Sequence, residues 1–174
     1  MTLIATYNNL NEADKVLTEL KHSHSVSEDH ISVATLKESY SKFSSENQDM
    51  ASKSAKEATS GTISGAGVGA AVGFLVAALG LATGFGGLLI GGPLAAALGG
   101  SAVAANTAVG AGIGALGGFV TGLTKAGVER DDAEHISNTV EQGGAMIAVN
   151  TEGLDEMDIR RVLNLHQPVK MIQV

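Results

Sequence analysis

The chain has 174 residues with a formal net charge of −7, and it contains no cysteine. The acidic balance argues against nucleic-acid binding, which usually needs a basic surface. The lack of cysteine excludes disulfides, thiol nucleophiles and zinc–thiolate sites. The charges are unevenly placed, because residues 58–124 carry none and all but three of the 23 glycines lie between positions 61 and 127. The sequence therefore predicts two polar flanks separated by a long apolar insert.

The first flank predicts a strand, a helix and a second strand. Residues 3–7 and 30–36 are short, apolar and rich in β-branched side chains, which is typical of strands. Between them, apolar residues recur at helical spacing, and Asn11 with Asp14 resembles a capping box at the start of that helix. The apolar stripe comprises Ala13, Val16, Leu17 and Leu20.

The second flank predicts a helix, a strand, a helix and a strand. The first helix places Ala133, Ile136 and Val140 on one face, and Gly143 is placed for its C-cap. Strands are expected at residues 145–150 and 169–174. The helix between these strands is expected to bury Leu154, Met157, Val162 and Leu163.

Joined together, the flanks predict an α+β fold with a ferredoxin-like βαβ-βαβ pattern, in which two helices cover one face of a four-stranded antiparallel sheet. Neither flank alone buries enough apolar surface to fold. A long Gly/Ala-rich antiparallel helical hairpin would then split this domain. The predicted parts are 1–38 (first half), 39–60 (polar linker or helix extension), 61–127 (glycine-zipper hydrophobic hairpin) and 128–174 (second half).

The uncharged insert is long enough for two membrane crossings, which we expect at about residues 59–81 and 101–125. Residues 82–100 would form a re-entrant stretch or an interfacial turn, because Pro93 and Gly-Gly pairs break helices. Glycines at every fourth position form a helix-packing face on each predicted helix. These glycines are Gly61, Gly65, Gly69, Gly73, Gly110, Gly114, Gly118 and Gly122. The residues expected at the membrane interface are Lys53, Lys56, Lys125 and Arg130. Because basic residues favour the cytoplasmic side, the expected location is a bacterial inner membrane with both termini in the cytoplasm.

No catalytic, cofactor-binding or metal site emerges from the sequence. Residues 112–117 match G-x-G-x-x-G, but the strand that must precede a dinucleotide-binding loop is missing. His22, His24 and His30 lack a further ligand at a typical metal-site spacing, so they are interpreted as solvated loop residues. We therefore expect no enzyme activity, no cofactor and no small-molecule ligand.

Two stretches resemble the heat-induced, YflT-like general stress proteins of bacteria. "ERDDAEHISNTVEQGGAMIAVNTEG" resembles their acidic helix followed by GG and an apolar strand, and "MTLIATYNNLNEADKVLTELK" is similar to their first strand and helix. Many members carry a Gly/Ala-rich hydrophobic hairpin between these halves. The resemblance implies a bacterial stress association and no catalytic residue.

These observations predict a stress-associated, non-enzymatic membrane protein that forms homo-oligomers through its glycine faces and stabilises or remodels a lipid bilayer. The alternative is a cytoplasmic, self-assembling structural protein, a shell or filament whose hairpins pack together without lipid. A third possibility is a small-molecule sensor, which would require a concave, polar sheet face. Ser32, Ala34, Ala145 and Ala148 neither establish nor exclude such a face. The uncovered face and the edges of the sheet would give a second assembly surface.

Overall fold

The computed structural model describes residues 1–22, 24–43, 45, 83–85, 87–94 and 113–174. These residues form a mixed α+β fold built on an antiparallel sheet. In chain order the elements are β1 (Thr2–Tyr7), α1 (Leu10–His22), β2 (Ile31–Leu36), β3 (Thr83–Phe85), β4 (Leu88–Gly91), α2 (Ile113–Lys125), α3 (Arg130–Glu141), β5 (Ala145–Asn150), α4 (Glu156–Leu165) and β6 (Lys170–Gln173). Residues 37–43 are also helical, and Phe43 is buried in the core.

The two ends of the chain interleave within one sheet. The strand order is β3-β4-β2-β5-β1-β6, and each neighbouring pair is antiparallel. Strand β5 therefore lies between β1, where Ala148 is opposite Ile4, and β2, where Met146 is opposite Ala34. Since β5 comes from the second flank and β1 and β2 from the first, neither flank can complete the centre of the sheet alone.

Helices cover both faces of the sheet, because alternate residues of a strand point to opposite faces. On one face, Leu3 and Ile147 belong to a core with residues of α1 and α4. On the other face, Ile4 and Met146 belong to a second core with residues of α2 and α3. The predicted uncovered face is therefore wrong. Ser32, Ala34, Ala145 and Ala148 are all buried, so none of them forms part of an exposed polar face.

The middle of the insert extends the sheet. Residues 83–85 and 88–91 form the β3–β4 hairpin, and β4 pairs with β2 along residues 33–36. Leu88 and Ile90 are buried in the core that contains α2 and α3. The predicted re-entrant stretch or interfacial turn is therefore wrong for these residues. The prediction failed because the glycines that flank this short apolar run indicate helix breaks and equally indicate the turns of a hairpin.

The predicted transmembrane helix at residues 101–125 is also wrong. Residues 101–112 of this segment lie outside the described residues, and residues 113–125 form α2. No helix within the described ranges is long and apolar enough for a crossing. The other predicted crossing, at residues 59–81, lies outside the described residues. One side of α2 is instead buried through Phe119 and Leu123, which pack in the core of the domain.

Two local predictions on the flanking helices need correction. Helix α1 begins at Leu10, and the Oδ1 atom of Asn9 accepts a 3.0 Å hydrogen bond from the Glu12 N–H, so Asn9 caps the helix and the predicted Asn11–Asp14 box is wrong. In α4, Met157 is 74% exposed, whereas Ile159 is buried. The helix begins only at Glu156, after its cap, and this start turns the second helical residue towards solvent.

The adjacent glycines 143 and 144 have separate structural roles. Gly143 has φ +94°, a left-handed conformation that ends α3 as predicted. At Gly144, an added Cβ would lie 2.3 Å from the Tyr7 carbonyl oxygen and 2.7 Å from the Thr139 carbonyl oxygen. Residue 144, immediately before β5, therefore has no room for a side chain.

We expect Gly144→Ala to lower the free energy of unfolding by about 1–3 kcal/mol, because two backbone carbonyls must move to admit the methyl group. Gly153→Ala is the comparison variant, because a Cβ at Gly153 would meet no atom within 4 Å, although its φ is positive (+76°), unlike that of Gly144. It should cost only the conformational term of about 1–2 kcal/mol. Urea denaturation measures both values, and a Gly144→Ala variant as stable as the parent would contradict the packing argument.

Candidate functional site

Helix α2 has one side in the core and one side in solvent. Phe119, Gly122 and Leu123 are buried on the side that faces the sheet. Gly117, Gly118, Thr121 and Lys125 are exposed. At 100° per residue, these four exposed positions and Gly114 lie on one face of the helix. We call Gly114, Gly117, Gly118 and Thr121 the small-residue face, and Lys125 lies at its C-terminal end.

The fold itself gives no reason for glycine on this face. A Cβ at Gly117 or Gly118 would meet no heavy atom within 4 Å, and neither residue has a positive φ. An exposed glycine inside a helix costs up to about 1 kcal/mol relative to alanine. Since neither close packing nor backbone conformation requires glycine here, this cost is not offset by any contact within the described part of the chain.

Next to the small-residue face, an open groove separates α2 from α3. Its volume is about 320 Å³, and its lining residues are Leu116, Gly117, Val120, Glu134, Ser137, Asn138 and Glu141. Ser137 lines this groove and is only 4% exposed. The groove therefore combines apolar walls, two carboxylates and a hydroxyl able to donate or accept a hydrogen bond.

The structure separates the predicted packing glycines into three groups. Gly114 and Gly118 lie on the small-residue face, whereas Gly122, in the same four-residue series, is buried against the domain. Gly117 was not predicted, although it lies on the same helix face. The remaining glycines, Gly61, Gly65, Gly69, Gly73 and Gly110, lie outside the described residues, so their packing role stays a prediction.

Two of the four cations predicted at a membrane interface, Lys125 and Arg130, lie among the described residues. Arg130 begins α3, and its Nε atom donates a 2.9 Å hydrogen bond to Glu134 one turn further on. Lys125 is exposed at the end of α2. Lys53 and Lys56 lie outside the described residues. The two described cations thus lie at the junction of α2 and α3.

The α3 residues that line the groove were missed in the sequence. Glu134, Ser137, Asn138 and Glu141 follow the i, i+3, i+4, i+7 spacing of one helix face, so a helical-wheel reading could have grouped them. Nothing in the sequence shows that this face lies beside α2 and not in open solvent. That placement depends on the packing of two helices on the same side of the sheet.

Chemistry-bearing side chains elsewhere have structural partners. The Tyr7 hydroxyl donates a 2.9 Å hydrogen bond to the Leu163 carbonyl, and burial raises the pKa of that hydroxyl. The His30 Nδ1 atom lies 2.9 Å from the Asn150 carbonyl oxygen. Across the described ranges, no group of three potential metal-ligating side chains is close enough to hold an ion.

Asp14 is the exception, because its carboxyl group is buried without full hydrogen bonding. The residue is 9% exposed, and in the described structure its Oδ1 atom has no hydrogen-bond partner. Burial disfavours the charged form and raises the pKa of Asp14 from 3.8 to about 6. The ionised carboxylate therefore destabilises the fold near neutral pH.

Comparison with known proteins gives no assignment: no family model, no curated protein and no solved structure matches the chain. The likeness to the YflT-like stress proteins stays a prediction from the two quoted stretches.

We expect Asp14→Asn to raise the free energy of unfolding at pH 7.5 by about 1–3 kcal/mol, since about 1.4 kcal/mol corresponds to each pKa unit. In the parent protein, between pH 4 and 6, the folded state holds a proton that the unfolded chain has released, so stability falls as pH rises. Urea unfolding across pH 4.5–7.5 should show this slope and its loss in the variant. Asp29→Asn, at an exposed position, should keep the slope. An unchanged slope in Asp14→Asn would contradict the assignment.

Proposed function

We propose that this protein is a non-enzymatic structural protein that assembles with copies of itself through the α2–α3 layer, without lipid. The observation that carries this proposal is the small-residue face, where Gly117 and Gly118 have open space above them and no conformational reason to be glycine. A contact with another helix supplies the missing reason, because glycine lets two helix backbones approach closely.

The position of the face within the fold supports the same proposal. The opposite side of α2 is fixed in the core through Phe119 and Leu123, so the exposed side is presented on a rigid element. Ordering α2 at an interface therefore costs little conformational entropy, which favours association.

For the architecture, we propose a ferredoxin-like βαβ-βαβ domain formed by β1-α1-β2 and β5-α4-β6. The order β2-β5-β1-β6 inside the larger sheet supports this description. Helices α2 and α3 and the β3–β4 hairpin then lie between its two halves in sequence. They add a helical layer and an extension of the sheet to the domain. A stress association is proposed from the resemblance alone.

We expect the purified 17.6 kDa chain to elute without detergent as a discrete multimer, with its mass measured by light scattering. Gly118→Leu should weaken that assembly at least tenfold in dissociation constant, because the larger side chain keeps the partner backbone away. The fold should be retained, since the new side chain enters open space.

Asn164→Leu is the matched control, because it adds the same exposed leucine on α4, which packs on the opposite face of the sheet. The control should leave the mass unchanged. A monomeric parent protein at all concentrations, or assembly unaffected by Gly118→Leu, would contradict the proposed function.

A further inference from the structure

Strand β6 forms one edge of the sheet, and we infer that this edge pairs with β6 of a second copy, running antiparallel about a two-fold axis at Ile172. The pairing joins the sheets of two copies through backbone hydrogen bonds. The choice of partner rests on the proposed self-assembly, whereas the location rests on observations separate from the small-residue face. Each chain then has two contact surfaces, so that assembly extends beyond a pair.

The hydrogen bonds between β1 and β6 show which backbone groups of β6 face outwards. Thr2 and Val174 exchange two backbone hydrogen bonds, of 2.8 and 2.9 Å. In an antiparallel ladder, such pairs alternate with pairs that exchange none. Ile172 therefore also bonds to β1, whereas the N–H and C=O groups of Met171 and Gln173 point to the open side of the edge. In the described part of the chain, no strand pairs with that side.

The cations at this edge are neutralised within their own copy. An exposed edge is a template for another strand, and charged side chains commonly protect it. Lys170, the charged residue of β6, forms an ion pair with Asp132 of α3. On the other face of the sheet, Arg160 of α4 donates hydrogen bonds to Glu156 (2.9 Å) and to the Gln173 side chain (2.6 Å). Two identical edges can therefore approach without bringing unpaired positive charges together.

Large apolar side chains are exposed around the same edge. Met1 is 66% exposed, and its Sδ atom accepts a 3.0 Å hydrogen bond from the Gln173 side chain. Val169, immediately before β6, is 41% exposed. The other large hydrophobic residues exposed within the described structure, Met157 and Leu165, are on α4, the helix that also contacts Gln173. Exposed apolar surface gathered on one side of a protein is typical of an interaction site, so this observation independently indicates a partner at the edge.

An axis at Ile172 uses every outward-facing backbone group of β6. It places Met171 opposite Gln173 of the second copy, and these residues exchange both of their hydrogen bonds on each side of the axis. Ile172 then lies opposite Ile172 of the second copy, so that two apolar side chains meet. Lys170 lies opposite Val174, which keeps the two lysines apart. The edge is therefore complementary to itself.

Neighbouring registers pair the edge less completely. An axis at Met171 places Gln173 opposite Val169 of the second copy. The Val169 N–H already donates a 2.8 Å hydrogen bond to the Thr6 carbonyl, so the Gln173 carbonyl would receive none. A slip of one residue places the outward groups of Met171 opposite Ile172, whose own groups face β1. Backbone pairing therefore favours the axis at Ile172.

A matched pair of substitutions tests the backbone contact. Gln173→Pro removes one outward N–H, and proline is tolerated in an edge strand at such a position. Gln173→Ala is the control, because it loses the same side-chain contacts and keeps the N–H. In a Gly118→Leu background, where the α2 contact is weakened, we expect a dimer by light scattering. Gln173→Pro should raise its dissociation constant at least tenfold, Gln173→Ala less than twofold, and both should keep the circular dichroism spectrum.

Disulfide trapping tests the register. The chain has no cysteine, so a single introduced cysteine can link only to another copy. Ile172→Cys places two thiols in a non-hydrogen-bonded pair at the axis, where a Cα separation of about 4.5 Å allows a disulfide. Val174→Cys is the control, because Val174 is also half-buried against the same core, but its two copies lie about 13 Å apart along the strand. We expect a covalent dimer on mild oxidation from Ile172→Cys and none from Val174→Cys.

The outcomes separate this inference from the proposed function. If Gly118→Leu weakens assembly, but Ile172→Cys forms no covalent dimer and Gln173→Pro behaves like Gln173→Ala, the β6 contact is overturned and assembly through the α2–α3 layer stands. If Gly118→Leu changes nothing, whereas Ile172→Cys links and Gln173→Pro dissociates the copies, the layer contact is overturned and the β6 contact stands. A monomeric parent overturns both and leaves the edge to an extended segment of a different protein.

Discussion

The central position of β5 is the constraint on which the rest of the structure depends. This strand comes from the second flank, yet it pairs with β1 along residues 145–150 and with β2 along residues 145–149. The insert must therefore leave the sheet and return to it. Its described parts do so by joining the fold, with β4 added to β2 and α2 packed on the sheet. The described parts of the insert, which are β3, β4 and α2, are therefore layers of the domain.

This constraint also explains which predictions from the sequence were correct. The flanking elements depend on local periodicity, and strand β5 is observed at residues 145–150 as predicted. The buried α3 stripe of Ala133, Ile136 and Val140 is also confirmed. Periodicity could not show that α3 covers the sheet face opposite α1 and α4. That choice is made by alternate β5 residues, with Ile147 and Met146 pointing to different cores.

The errors in the insert have one physical cause. Glycine and alanine are only weakly hydrophobic, so they give little information about the surroundings of a segment. An uncharged segment rich in both residues is equally compatible with a membrane, a protein core and a packed interface. Gly92 shows the difficulty, because its Cβ would lie 2.1 Å from the Ile31 carbonyl, which makes it a close-approach residue at the sheet. Gly118 is the same residue type, but a Cβ there would meet no heavy atom within 4 Å. Only three-dimensional placement separates these two roles.

Only part of the candidate site could be predicted from the sequence, because glycine spacing alone does not show which side of the helix is buried. The four-residue glycine step groups Gly114 and Gly118 with Gly122, but Gly118 is exposed whereas Gly122 is buried. A spacing of four drifts by about 40° per step on a helix, so the series turns from solvent into the core within two steps. Including Gly117 and Thr121, at spacings of three and seven from Gly114, keeps the face aligned along the helix. Helical spacing therefore aligns the residues of the small-residue face, and the side of α2 that packs on the sheet limits how wide this face is.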